Sequence, residues 1–179
     1  MLEEFSKGKR SMITILTGPA AAGKNSIGHE YATRFCSHCS VIDVDIVRGM
    51  LRQPHRAPWD GKEGLSQHQL GVKHACLLAQ SFVNEGYEVI IMDVVWADLA
   101  QIYRRELAEL PMKIIRIMPT WQASLDRLHK RPHSITDDEA RWVYDTQKEL
   151  KDFDLDIDNT TRSITEISAW LDAINHKKP

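Results

Sequence analysis

The sequence predicts an α/β fold of three layers, with a five-stranded parallel sheet covered by helices on both faces. Two observations carry that reading. Short apolar, β-branched runs alternate with helix-periodic segments along the whole chain. The first of those runs passes straight into a glycine-containing loop and then a helix, the start of a βαβ unit. No internal repeat, low-complexity linker or shift in composition marks a boundary, so 1–179 reads as one domain.

The elements follow in order. Residues 11–17 form the first strand, and a helix is expected over 25–35 with Ile27, Tyr31 and Phe35 on one face. Residues 40–45 form a short strand ending in acid, followed by Ile46 to Leu51. Pro54, Pro58, Gly61 and Gly64 make 54–64 a turn-rich loop, and a long helix over 65–84 closes at Gly86. Then come a strand over 88–93, a helix over 99–110 and a strand over 112–118. Thr120 caps a helix that ends near Arg131 and Pro132. Thr136 with Glu139, and Ser163 with Glu166, are capping boxes for two more helices, with a final strand over 153–158 between them. Ligands of such sheets sit at the carboxyl ends of the strands. That rule collects Gly18, Asp43, Asp45, Asp93, Pro119 and Asn159 around one crevice.

Composition bounds the partners. With 42% hydrophobic and 27% charged residues the chain reads as an ordinary globular protein, and a net charge of −2 gives no general attraction to nucleic acid. No apolar run approaches the ~20 residues of a membrane span. Glu3, Glu4, Lys7, Lys9 and Arg10 interrupt any leader-like core, so a cytoplasmic location is expected. Three cysteines cannot all pair within the chain, which agrees with a reducing compartment. Cys36, His38 and Cys39 are crowded enough to raise zinc, but no second ligand pair follows, and a helix end with two small thiols explains them as well.

Gly18-Pro19-Ala20-Ala21-Ala22-Gly23-Lys24 has the spacing G-x-x-x-x-G-K between a strand and a helix. The glycines let the backbone fold into a concave nest whose N–H groups face phosphate oxygens. Lys24 adds a cation that can follow the β- and γ-phosphates, and the following helix adds its positive end. After the lysine a Ser or Thr normally binds magnesium; here Asn25 stands there, with Ser26 next. The Asn25 amide oxygen can still ligate a hard cation, with altered geometry.

Asp43 and Asp45 form a D-x-D at the end of the second expected strand, where a period of two directs both carboxylates to one side. Phosphoryl transfer to an alcohol needs an acceptor-orienting base and a way to hold magnesium. Asp45 suits the first task and Asp43, through water, the second. Asp45 also suits the N-cap of the next helix.

The segment Val41 to Leu51, with Asp43, Asp45 and Arg48, resembles the D-x-D-x-x-R segment of P-loop small-molecule kinases. Adenylylsulfate kinases, shikimate and gluconate kinases and chloramphenicol phosphotransferase share that architecture. Gly86 to Asp93 resembles their third strand, and Asp152 to Thr160 their last strand and adenine-side loop, so the resemblance covers nearly the whole chain in order. It implies a three-layer P-loop NTPase fold with a small lid over 127–136. It further implies Asp45 as catalytic acid/base, Arg48 as a substrate or phosphate contact, Asn159 on the adenine side, and Arg127 and Arg131 closing over ATP. Two arginines at i and i+4 share a helix face and can reach one anion, although a solvated basic face with Lys130 is an equal reading. Asp93 lies where a Walker-type acid would, able to hold magnesium by way of water or to orient substrate.

The acceptor pocket is expected between Arg48 and His74, with the loop 54–64 at its centre. Arg52 could hold an anionic substituent, and Trp59 could stack on a ring or serve the core. Trp96 and Asp98 face the same crevice by the strand-end rule, whereas His68 and His74 read as helix-surface residues. The expected activity is ATP- and magnesium-dependent phosphotransfer from a nucleoside triphosphate to a hydroxyl of a small molecule. A nucleotide or polynucleotide-end kinase is one rival. Asn25 favours another, a nucleotide-binding regulatory module with little catalysis.

Overall fold

The computed structural model describes residues 11–132 and 134–176. The charged N-terminal residues considered above, and position 133 of the expected lid, lie outside the described residues. The strands β1 (Ile13–Thr17), β2 (Cys39–Asp43), β3 (Glu88–Met92), β4 (Met112–Ile117) and β5 (Leu155–Ile157) form one sheet in the order β2-β3-β1-β4-β5. All pairings are parallel, with Ile15 opposite Ile91 and Ile114 on its two neighbours. The helices are α1 (Lys24–Arg34), α2 (Val44–Arg48), α3 (Gly61–Asn84), α4 (Ala97–Glu106), α5 (Trp121–His129), α6 (Asp137–Glu149) and α7 (Ile164–His176).

Alternate strand residues feed two cores. Ile13, Ile15, Val89, Ile91 and Ile114 pack with Val72, Ala75 and Ala79 of α3 and Leu99 and Tyr103 of α4. Leu16, Ile90, Met92, Ile115 and Ile117 pack on the other face with Ile27 and Tyr31 of α1 and Ile167 and Leu171 of α7. This is why the strands read as continuous apolar runs: each side of the pleat meets a helix layer.

Three expectations change. The second strand stops at Asp43, whose carboxylate accepts the Asp45 N–H at 2.9 Å as the N-cap of α2. Asp45 therefore stands in the first turn of a helix, not two residues along a strand, and Asp43 is the cap. Helix α3 starts at Gly61, so the last four residues of the expected 54–64 loop are helical. Asp60 organises that start by accepting the Ala57 N–H at 2.9 Å. His68 is 2% exposed, not on the surface, because α3 runs across the end of β3, while His74 is exposed as expected. Both capping boxes form: Glu139 accepts the Thr136 N–H at 2.6 Å and Glu166 the Ser163 N–H at 2.7 Å. Among the described residues no group of three or more His, Cys, Asp or Glu is placed to hold a metal ion, and no helix is long and apolar enough to cross a membrane.

Candidate active site

The loop after β1 turns sharply because Gly18, Ala21 and Gly23 all take positive φ. At Gly18 a Cβ would lie 2.2 Å from the Ile117 carbonyl oxygen, so the close approach of β4 requires glycine there. Two side chains from elsewhere fix the loop: Ser124 donates to the Ala20 carbonyl at 2.6 Å and Asn159 to the Ala22 carbonyl at 2.7 Å. The loop ends where α1 begins, so the free N–H groups and positive end of that helix face the concavity.

Lys24 folds back over this loop, its Nζ donating to the carbonyls of Gly18 at 2.8 Å and Pro19 at 3.0 Å. Burial pulls its pKa from 10.5 down to about 8, against the opposing pull of Asp45, Asp93 and Asp43. Arg131 lowers it further. One cavity of about 440 Å³ holds the loop from Ala20 to Ser26 together with Asp43, Asp45, Asp93 and Arg131. Trp59 closes it on the far side, and Pro132, Ser134 and Ile135 line it from the segment expected to be a lid.

The acids in this cavity differ in their surroundings. Asp45 is 77% exposed at its side chain and pairs with Arg48 at 2.9 Å. Arg48 itself is 5% exposed and also donates to the Arg56 carbonyl at 2.8 Å. Its guanidinium thus ties Asp45 to the 54–60 turn from beneath rather than presenting a free fork to a ligand. Asp93, also 5% exposed, accepts from His68 Nε2 at 2.8 Å, Tyr103 Oη at 2.9 Å and the Val94 N–H at 2.7 Å. Burial alone would raise its pKa, but the His68 charge and these hydrogen bonds hold it below 3.8. With both oxygens engaged, Asp93 reaches the cavity as a fixed negative charge. Asn25 donates its side-chain amide to Asp43. The residue in the usual magnesium-hydroxyl position is thereby turned, nitrogen first, onto a carboxylate.

A second cavity, of about 400 Å³, continues from Gly23 and Ser26 past Arg131 to Asn159, Arg162 and Ile164. Arg127 acts there through the backbone, donating to the carbonyls of Asn159 at 2.7 Å and Thr160 at 3.1 Å. Asn159 is 4% exposed and spends its amide on the loop, so it shapes this side without offering much surface to a ligand. Arg162, three residues beyond Asn159, escaped sequence reasoning. Pro119 ends up buried at the end of β4, its carbonyl accepting the Tyr144 hydroxyl at 3.0 Å, and lines none of the cavities described.

Trp59 and Trp96 meet around a third cavity, of about 570 Å³, together with Trp142 of α6. The buried Gln147 brings α6 there, accepting the Thr17 hydroxyl at 3.0 Å while its amide holds the Val95 carbonyl. Trp142 was missed because nothing near it in the chain points to a site; an indole on an otherwise polar helix was the one available signal. Arg52 is exposed and lines none of these three cavities. Cys36 and Cys39 are free thiols that line none of these cavities.

No protein-family model and no curated protein sequence matches the chain. Solved structures do match its fold. The APS kinase of Mycobacterium tuberculosis, in complex with AMPPNP and APS, superposes with a TM-score of 0.69 at 16% identity, covering 92% of this chain and 96% of that one. The tunicamycin resistance protein of Deinococcus radiodurans gives 0.68 at 14% identity, over 94% and 98% of the two chains. Shikimate kinase from Acinetobacter baumannii, in complex with shikimate, gives 0.63 at 15% identity, over 94% and 96%. The five-stranded parallel sheet, its two helix layers and the glycine loop after β1 are those of the P-loop small-molecule kinase fold.

Proposed function

We propose that this protein is an ATP-dependent phosphotransferase that acts on a hydroxyl of a small molecule. The observation that carries the reading is the single cavity in which the phosphate loop, Lys24 and Arg131 stand across from Asp43, Asp45 and Asp93. A site built only to hold a nucleotide and its metal needs the first set and an acid for magnesium, but not a further exposed carboxylate such as Asp45. The likeness of the fold to kinases of small molecules supports it further.

In this reading the loop amides and Lys24 hold the phosphates, and Lys24 leaves the Gly18 and Pro19 carbonyls to do so. Asp45, exposed and oriented by Arg48, accepts the acceptor's hydroxyl proton. Arg131, between the phosphate and adenine-side cavities, neutralises charge on the transferring group. Arg127, Arg162 and Asn159 form the nucleoside side. Asp43, through water, and phosphate oxygens would hold magnesium, which when bound would supply charge neutralisation. For that role Asn25 has to release Asp43. Catalysis rests on positioning and electrostatics.

The test is acceptor-dependent ADP release by the purified chain with ATP and magnesium over a panel of small hydroxyl compounds. An active acceptor is expected, and Asp45→Asn should lower its turnover about 10²- to 10⁴-fold. Bound ATP with no stimulation by any acceptor would instead support a nucleotide-binding regulatory module, the reading that the Asn25–Asp43 bond favours.

A further inference from the structure

The cavity of about 570 Å³ adjoins the phosphate-loop cavity, and Trp59 lines both. Three indoles line it as one cluster, Trp142 packed edge-on against Trp59 and Trp96 with ring centroids 6.4 Å and 6.0 Å away. Trp142 is 45% exposed and Trp59 is half-buried, while Trp96, also half-buried, packs one side against the core. Trp59 packs on Trp142, and Trp96 packs edge-on against His68 at 4.8 Å.

The charged side chains of the lining have one sign. Asp98, steadied by Gln69 at 2.9 Å, and Glu149 line the cavity, and among the described residues no lysine, arginine or histidine does. Aromatic faces carry negative quadrupole and attract cations. An anionic occupant would meet two carboxylates and no guanidinium fork to pair with it. A neutral one would leave both carboxylates unused. Charge complementarity thus selects a cation with an apolar or ring body.

We propose that this cavity is the acceptor site and that the acceptor is a cationic alcohol, its amine or quaternary ammonium nitrogen held against the indole cluster of Trp59, Trp96 and Trp142 beside Asp98 and Glu149. The inference rests on the phosphotransferase reading above. Trp59 lines both this cavity and the one that holds Asp45, and in the proposed arrangement the hydroxyl end of such a molecule is directed towards Asp45. The acceptor oxygen then bonds to the γ-phosphorus of ATP as the bond to the bridging oxygen breaks. The hydroxyl proton passes to the Asp45 carboxylate, and ADP leaves.

Choline, its neutral carbon isostere 3,3-dimethylbutan-1-ol and the anionic 2-hydroxyethanesulfonate are minimal probes that share a hydroxyethyl arm. Binding is read without nucleotide by tryptophan fluorescence and calorimetry, and transfer by ADP release with ATP. Choline should bind at least about tenfold more tightly than its isostere, and the sulfonate should not bind. Trp142→Ala and Asp98→Asn, checked for folding by thermal melting, should each weaken choline about five- to thirtyfold. Equal binding of choline and its isostere, preference for the sulfonate, binding of none, or indifference to both substitutions overturns the inference. Cation-selective binding without ADP release on any cationic alcohol overturns the acceptor role of the cavity, and the phosphotransferase reading falls only if the full hydroxyl panel also fails.

Discussion

Asn25 and Asp43 are joined by a side-chain hydrogen bond in which the amide nitrogen donates to the carboxylate. A Ser or Thr at position 25 would offer a hydroxyl oxygen to magnesium; Asn25 offers an N–H to the very acid that should help hold it. In the proposed mechanism magnesium at Asp43 competes with this bond, which engages none of the loop from Gly18 to Lys24.

Asn25→Thr should therefore strengthen the magnesium dependence of nucleotide binding. A charge-assisted hydrogen bond contributes about 1.5–3 kcal/mol, so the magnesium concentration for half-maximal ATP binding should fall about tenfold or more. Calorimetric titrations of ATP at stepped magnesium concentrations measure it. An unchanged magnesium dependence would remove Asn25 from the metal question.

Lys24 gives a prediction in pH. Burial lowers its pKa to about 8 from 10.5, so between those values the unfolded chain binds more protons than the folded one. Stability of the nucleotide-free protein should rise with pH across that window. ATP needs the charged lysine, so its affinity should run the other way, falling by up to about tenfold per pH unit above 8. Proton uptake on binding at pH 8.5–9, seen as a dependence of calorimetric heat on buffer ionisation, checks the sign. Lys24→Arg should flatten the profile, and Lys24→Ala should weaken ATP about ten- to hundredfold at neutral pH.

What could be read from the chain was what is local. The strands are contiguous apolar runs, and the loop from Gly18 to Lys24 carries its spacing on its face. The end of β2 was harder, because Asp43 and Asp45 compete for one cap and only the backbone decides which takes it. His68, Trp142 and Arg162 were out of reach for a different reason. Each gains its role from a partner far along the chain: His68 from Asp93, Trp142 from Trp59 and Trp96, Arg162 from the loop at Ala21–Gly23. Arg48, Arg127 and Asn159 were singled out as ligand contacts, and the structure has all three bonded to protein groups that shape the site.

Gly71 tests whether Arg48 positions Asp45. A Cβ on this α3 residue would lie 2.4 Å from Arg48 Cγ and 3.1 Å from Cδ, so alanine must displace the buried guanidinium. Overpacking of this kind costs about 1–3 kcal/mol, which thermal melting should register. Acceptor-dependent ADP release should fall severalfold or more while ATP binding persists, since α3 does not line the phosphate loop. Loss of ATP affinity in equal measure would mean that Arg48 supports the whole site.

The last prediction concerns Asp93 and His68, buried together at the end of β3. Although burial would raise the carboxyl pKa, the His68 charge, its 2.8 Å hydrogen bond and those from Tyr103 and Val94 hold it below 3.8. A lowered carboxylate contributes stability that is fully present above its unfolded value and is lost as pH falls through the folded one. Acid unfolding should therefore steepen below about pH 4. His68→Ala leaves the carboxylate buried without its strongest partner, which for a buried pair costs about 3–5 kcal/mol. Its acid-unfolding midpoint should move to higher pH, because the Asp93 pKa then rises. His68→Ala/Asp93→Asn should recover part of the loss at neutral pH, since no buried charge is left unpaired. If the double variant is no more stable than His68→Ala, the contribution of the pair is packing and not charge.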